Sequence, residues 1–485
     1  MNEAPGNVRL IGGEMLLWSD ADDVTDWRGV GLELVRRLVP DDGRVLLAGP
    51  HSGSLIGAVA ACAASTDLLV RSYPDACALG ERHPSLVVHC GRLRALAGEA
   101  PYDLVLALDG LGRTHSAEEQ PPSWQESFEA LAGLVAPGGG LVLAVPNDLG
   151  IDRFVEARPP DREGADGHWE PHGFDPSHPG GPGALDTALA SAGLEPGRRY
   201  AAYPGRATPR ALFGRELLAR DLPEALTVPL SARGGDTMLV ADPLRLTRLA
   251  FRHGLGEPLA PLWLAVATRP AAPPSDPPAP SVDPPAPPSD PPAPSVDPAA
   301  PSGENGFADL VGPSSAYAGP GAWAVPLPAG LVEVGRAVHE VTATTTRRLP
   351  DGTERPIPRG RIVEELLVEA CAREDVRAVR ELLAELAAWV EDGGDAPADN
   401  LVWDGERFAP ITPVPPPSGP VTAQVVLARI LWRFAVRLLA AGHHHPWPWP
   451  LAADQLALTL CGMAGRPCAE ADLDQARKLD AELGQ

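Results

Sequence analysis

The sequence predicts a doubly wound α/β domain, joined by a proline-rich spacer to a mainly α-helical domain. Three observations predict it. Strand-like runs that are apolar throughout, such as RVLLAG (44–49) and DLVLALD (103–109), alternate with helical segments. Such strands belong to a parallel sheet covered on both faces. A proline-rich block then repeats in tandem, and beyond it the apolar residues fall mostly at helical spacing.

In chain order, GVGLELVRRLV (29–39) has helical spacing. The strand candidates are RVLLAG, DLLVRS (67–72), SLVVHC (85–90), DLVLALD and GLVLAVP (140–146). Helical segments SLIGAVAACAAS (54–65), DACALGERH (75–83) and WQESFEALAGLV (124–135) separate most of them. A helix and strand at ALDTALASAGLEPGRRYAAYP (184–204) extend the unit, which is expected to span 1–269 and to end after APLWLAVATR.

The spacer is assigned to 270–303. Pro273–Ala286 recurs at Pro287–Ala300 with one change. Most positions lack an amide donor or precede a proline, so neither helix nor sheet can form. A disordered, extended polyproline linker is expected, reaching on the order of 100 Å at about 3.1 Å per residue.

The formal net charge is -24. Such a chain repels nucleic acid phosphates and anionic membrane surfaces. Six cysteines without CxxC spacing read as free thiols in a reducing cytoplasm. The first 18 residues lack the charged-then-apolar order of a signal peptide. No stretch of about 20 residues is apolar enough to span a membrane.

The loop after the first of these strands is the first candidate site. In a doubly wound sheet it faces the topological switch point, where ligands bind. Gly49 and Gly53 are spaced as the outer glycines of a GxGxG turn, with His51 in the middle. From Val45 to Asn147, through this turn, YDLVLALDGL and the Pro-Gly-Gly turn before GLVLAVPN, the chain resembles class I S-adenosylmethionine-dependent methyltransferases. The resemblance implies a Rossmann-like domain with S-adenosyl-L-methionine as cofactor. It places the methionine end of the cofactor on Gly49, Pro50, His51, Ser52 and Gly53. It places the ribose at Arg71 and Ser72, and the adenine near Cys90, Gly91 and Arg92.

The chain departs from that family where carboxylates are expected. Arg71 stands at the place of the ribose-binding acid, Leu47 at the acid of the first strand, and Gly91 at a further acidic position. Asp75 is a possible substitute, but the Pro74-Asp75 step reads better as the capped start of a helix. Asp109, closing a strand, is the candidate to assist a nucleophile, and His115 is a second candidate base. LAVPNDLGIDRF (143–154) and AAYPGRATPRALF (201–213) are similar to methyltransferases of surface glycans, with Pro146 at a further lost carboxylate. That likeness points to a small-molecule or glycan acceptor.

Residues 304–485 are expected to form the mainly helical domain. Arg361–Asp392 reads as two helices broken near Arg373–Asp375, and Val421–Gly442 as another. NLVWDGERFAPI (400–411) reads as a hairpin turning at Asp404-Gly405. HHHPWPWP (443–450) is read as a loop with Trp447 and Trp449 packed on the domain. Arg429, Arg433 and Arg437 form a stripe whose default is internal pairing. The Asp399-Asn400 step lacks the companions of a phosphoryl-transfer site. The predicted function is methyl transfer to an oxygen or nitrogen nucleophile. The alternative is a non-catalytic scaffold whose helical domain binds a partner protein.

Overall fold

The computed structural model describes residues 4–21, 24–116, 120–155, 175–220, 222–231, 243–271, 326–334, 337–343, 345–412, 414–448 and 450–483. The linker beyond residue 271 and the segment up to 325 lie outside the described residues.

The chain opens with strand β1 (Val8–Gly12) and helix α1 (Val30–Leu38). Then β2 (Arg44–Ala48), α2 (Gly53–Cys62), β3 (Ser65–Val70), α3 (Tyr73–Arg82) and β4 (Val87–Gly91) alternate as expected. They are followed by β5 (Tyr102–Ala107), α4 (Trp124–Gly133) and β6 (Val135–Pro146). β1 through β6 form parallel ladders. Period-2 alternation sends the side chains of β2 to opposite faces. Val45 and Leu47 pack with Val30, Leu34 and Ile56, while Leu46 and Ala48 join the cluster of Phe128 and Leu131. Helix α4 begins with a capping box between Ser123 and Glu126, satisfying two orphan donors.

The short helix α5 (Ile151–Val155) and α6 (Pro182–Ser191) follow. β7 (Glu195–Tyr203), β8 (Ala211–Gly214), α7 (Arg215–Leu218), α8 (Pro243–Arg252) and β9 (Leu262–Thr268) complete this part. β9 inserts antiparallel between β6 and β7, making the sheet mixed.

The sheet does not end at residue 269. β10 (Gly330–Val334), β11 (Ala337–Ala343), β12 (Thr346–Arg348) and β13 (Glu354–Pro356) continue it. β10 pairs antiparallel with β8, and the full order is β1-β4-β3-β2-β5-β6-β9-β7-β8-β10-β11-β12-β13. Leu331 and Val332 are buried on opposite faces of this sheet. Without β10, the edge of β8 would present unpaired backbone groups. Residues on both sides of the stretch 272–325 therefore contribute strands to one sheet.

The helical part starts only at α9 (Val363–Ala372), followed by α10 (Val376–Glu391), α11 (Ala423–Ala440), α12 (Ala453–Met463) and α13 (Glu470–Leu483). The break between α9 and α10 falls where the sequence places it, with Glu374 at φ 57 and Asp375 capping α10. A small sheet of β14 (Arg361–Ile362), β15 (Leu401–Trp403) and β16 (Phe408–Pro410) contains the expected hairpin. The arginine stripe is paired internally. Arg429 binds Asp395 and Asp480 at 3.0 and 3.1 Å, Arg433 binds Asp399 at 3.3 Å, and Arg437 binds Glu364 at 2.6 Å. Trp447 packs on the helical core, while Trp449 lies outside the described residues. Asn400 is spent on Thr412, accepting from its amide at 2.9 Å. Among the described residues no helix is long and apolar enough to cross a membrane.

Candidate functional site

The strand order reverses at β2. The chain runs outward through β3 and β4, then returns to place β5 on the other side of β2. The carboxyl ends of β2 and β5 therefore frame the switch point, where a doubly wound sheet takes a ligand. The loop Gly49–Ser52 and the segment from Leu108 to His115 stand at this end.

Gly49 has φ 92, a region that L side chains rarely adopt, and its amide donates to Leu69 O at 2.9 Å. His51 is 9% exposed. Its Nδ1 donates to Gly49 O at 2.8 Å, and its Nε2 accepts from the Leu108 amide at 3.3 Å. The imidazole thus ties the β2 loop to the end of β5. Burial pushes its pKa down to about 4, with the Arg113 guanidinium acting the same way. Ser52 caps α2, its side chain accepting from Leu55 N. Gly53 and Ser54 are exposed at that helix N-terminus, and a Cβ on Gly53 would meet only Arg82 Nη1, at 3.9 Å. Packing does not demand glycine there.

Sequence reasoning missed the N-terminal segment, which crosses the strand ends. Met15 bridges Ser72, taking the amide of Tyr73 at 3.1 Å and donating to Arg71 O at 2.8 Å. Ser72 Oγ, besides capping α3, donates to Trp18 O at 2.7 Å. Asp75 lies in the first turn of α3 and accepts from Ser19 Oγ at 2.7 Å and from the Asp20 amide at 2.6 Å. It is part of the helix start, as expected, and also anchors the N-terminal strap.

Arg71 lies at the end of β3 with its side chain fully buried. Its Nε and Nη2 each donate to Asp20 at 2.8 Å, one to each carboxylate oxygen. Nη1 donates to His115 O at 3.2 Å. Trp18 Nε1 adds a bond to Asp20 at 3.0 Å. A guanidinium removed from water is tolerated only when paired in this manner. Asp20 thus brings a carboxylate to the carboxyl end of β3 from a different segment.

Asp109 is held by Arg113, with Nε to Oδ2 at 2.5 Å and Nη2 to Oδ1 at 2.6 Å. Thr25 Oγ1 also donates to it, at 3.2 Å. A carboxylate engaged on both oxygens by an arginine is a poor proton acceptor. His115 is 9% exposed, and burial, then Arg71, lower its pKa to about 4. Gly91 has φ 143, and a Cβ there would come within 2.5 Å of Gly12 O. The Arg92 amide donates to that same oxygen at 3.0 Å. The end of β4 is therefore shaped by β1 and its exit, which explains a glycine at a place where the resemblance expects an acid. The Pro-Gly-Gly turn lies at the opposite end of the sheet, where β6 begins. Among the described residues no cluster of His, Cys, Asp and Glu is arranged to hold a metal.

No protein-family model and no curated protein matches the chain. Among solved structures it is similar to the N-methyltransferase NodS from Bradyrhizobium japonicum WM9, at 11% identity over 49% of this chain and 93% of that chain, with a TM-score of 0.27. It is also similar to 1,6-didemethyltoxoflavin-N1-methyltransferase from Burkholderia thailandensis, a complex with S-adenosylhomocysteine (13% identity, 52% and 80% covered, TM-score 0.28). A third is CalS10, an amino pentose methyltransferase from Micromonospora echinaspora with bound S-adenosylmethionine (20% identity, 36% and 85% covered, TM-score 0.24). At TM-scores this low the likenesses carry no conclusion on what this chain binds or transfers.

Proposed function

We propose that the α/β unit is an S-adenosylmethionine-dependent methyltransferase acting on an oxygen or nitrogen nucleophile of a small-molecule or glycan acceptor. The position of Asp20 supports this reading. β3 lacks a carboxylate for the ribose hydroxyls, and Asp20 restores one at the same strand end. A carboxylate offers about four lone-pair sites. Arg71 and Trp18 use three of them, which leaves an acceptor site. The exposed N-terminus of α2, with Gly53, suits the polar methionine end. When bound, the cofactor supplies the methyl group.

The residues of this chain bind and orient. Arg71 holds Asp20 in register with β3, His51 fixes the β2 loop against Leu108, and Asp109 fixes Arg113. None of them is a free base, so the rate rests on proximity and orientation. Met15, Trp18 and Asp20 lie across the strand ends, beside the place proposed for the ribose.

A second reading is a non-catalytic methyltransferase-like scaffold whose helical part binds a partner protein. One observation favours it: Arg71, Asp75 and Asp109 are all engaged in holding the N-terminal segment. Calorimetry on the full chain separates the two. Micromolar binding of S-adenosylhomocysteine, abolished by Gly53→Trp, supports the enzyme. No binding at millimolar ligand to a folded chain selects the scaffold.

A further inference from the structure

The outer strands sort their charges by face. Residues directly opposite on neighbouring strands point to the same side of a sheet. The register sets Arg348 opposite both Glu340 and Glu354. On that face the charges are matched. Arg37 Nη1 binds Glu340 at 2.8 Å, and Arg348 lies 3.8 Å from Glu340 and 3.0 Å from Glu354. On the other face Arg347 stands opposite Val341 and Arg355. His339, two residues before Val341, shares that face.

Arg347 and His339 are each 7% exposed, and Arg355 is exposed beside them. Arg347 Nη2 donates to Ile411 O at 2.6 Å. Arg347 Nε and His339 Nδ1 are enclosed and have no hydrogen-bond partner among the described residues. Among the described residues no carboxylate forms an ion pair with His339, Arg347 or Arg355. Asp351 is the acidic group whose field reaches His339, and its carboxylate accepts from the Thr353 amide at 2.8 Å.

Three costs coincide here. A buried guanidinium without a counter-charge is destabilising. Like charges directly opposite on neighbouring strands repel. A buried N–H without an acceptor has lost its hydration for nothing. Burial, then Arg355, lowers the Arg347 pKa, and burial, Arg347 and Arg355 lower that of His339. One oxyanion between the two guanidinium groups supplies both the missing charge and the missing acceptor atoms.

We propose that His339, Arg347 and Arg355 form a binding site for a phosphate-class oxyanion, on the face of the outer strands turned away from Glu340. A phosphate dianion balances the two guanidinium charges, and its oxygens accept from both. His339, neutral near pH 7, adds a donor in its Nδ1–H tautomer. Arg347 then joins the anion to Ile411 O, and so ties β12 to the end of β16. In strand order β6, β9, β7, β8 and β10 separate this site from the switch point.

The test uses the full native chain and radiolabelled inorganic phosphate in equilibrium dialysis at constant ionic strength. The expected result is saturable binding of a single phosphate per chain, with slower hydrogen exchange in β11 to β13. Arg355→Gln, at an exposed position, should weaken binding about tenfold or more, and Arg347→Met should abolish it. Arg348→Gln removes the same charge from the opposite face and should bind as the wild type does. Competition by glycerol 3-phosphate distinguishes two sources of the anion. Displacement of the label assigns the site to the phosphoryl group of a larger molecule, and no displacement assigns it to the free ion. Absence of saturable binding to a folded chain overturns the proposal. Binding that Arg355→Gln leaves intact, or that Arg348→Gln weakens equally, also overturns it.

Discussion

Arg71 and Asp20 form a two-bond ion pair, 2.8 Å and 2.8 Å, at the end of β3. Both side chains are almost fully buried. The pair joins an N-terminal segment to the strand end where a ligand carboxylate is expected. It has a structural cost and a functional consequence.

Asp20→Ala leaves the Arg71 guanidinium buried without its carboxylate. Breaking a buried pair by removing one partner costs about 3–5 kcal/mol. Urea unfolding of the full chain should show a loss of that size. Asp20→Leu with Arg71→Met should recover part of it, because two apolar groups do not need each other. A loss below about 1 kcal/mol, the range of exposed pairs, would show the pair to be solvated.

Acid stability should depend on His51 and His115. Both have folded pKa values of about 4, against about 6.5 in the unfolded chain. Between these values the unfolded state binds more protons, so stability is full above pH ~6.5 and falls as pH drops towards 4. His51→Gln should flatten the decline in that window, as followed by denaturant midpoints against pH. An unchanged slope would place His51 in water.

Asp109 is read as a structural group. Asp109→Asn removes the charge facing Arg113 and should lower stability by about 1–3 kcal/mol. Binding of S-adenosylhomocysteine should fall only as far as the chain unfolds. A variant with wild-type stability and no methyl transfer would make Asp109 catalytic.

The sheet was legible in part. β2, β3, β4, β5 and β6 stand out in the sequence because each carries a continuous apolar run, and α9, α10 and the hairpin at Asp404 announce themselves by spacing and turn residues. β10 to β13 do not. β10 is followed after two residues by β11, and β11 to β13 are half-exposed or exposed strands towards the sheet edge whose burial patterns are weak. They follow a composition break that reads as a domain boundary. The strap was hidden for another reason. Its contacts are backbone bonds and polar pairs with residues 50 to 90 positions away, and no local pattern encodes those. Arg71 looked like a lost ligand because its partner, Asp20, sits outside every periodic element.

A truncation follows from the sheet order. A fragment ending at residue 271 should aggregate or fail to unfold cooperatively, because it strips β10 from β8 and leaves the buried strand Ala211–Gly214 as an unpaired sheet edge. Cooperative unfolding of that fragment with native-like circular dichroism would show that β10 to β13 are dispensable.

The most direct test is hydrogen exchange along Gly13–Trp27, with and without saturating S-adenosylhomocysteine. If Asp20 supplies the carboxylate at the ribose place, amides of the strap and of the β2 loop should change protection together on binding, and Asp20→Ala should weaken binding at least tenfold. Exchange in both segments that is identical with and without ligand, in a folded chain, would contradict the account and leave the strap as a fixed part of a scaffold.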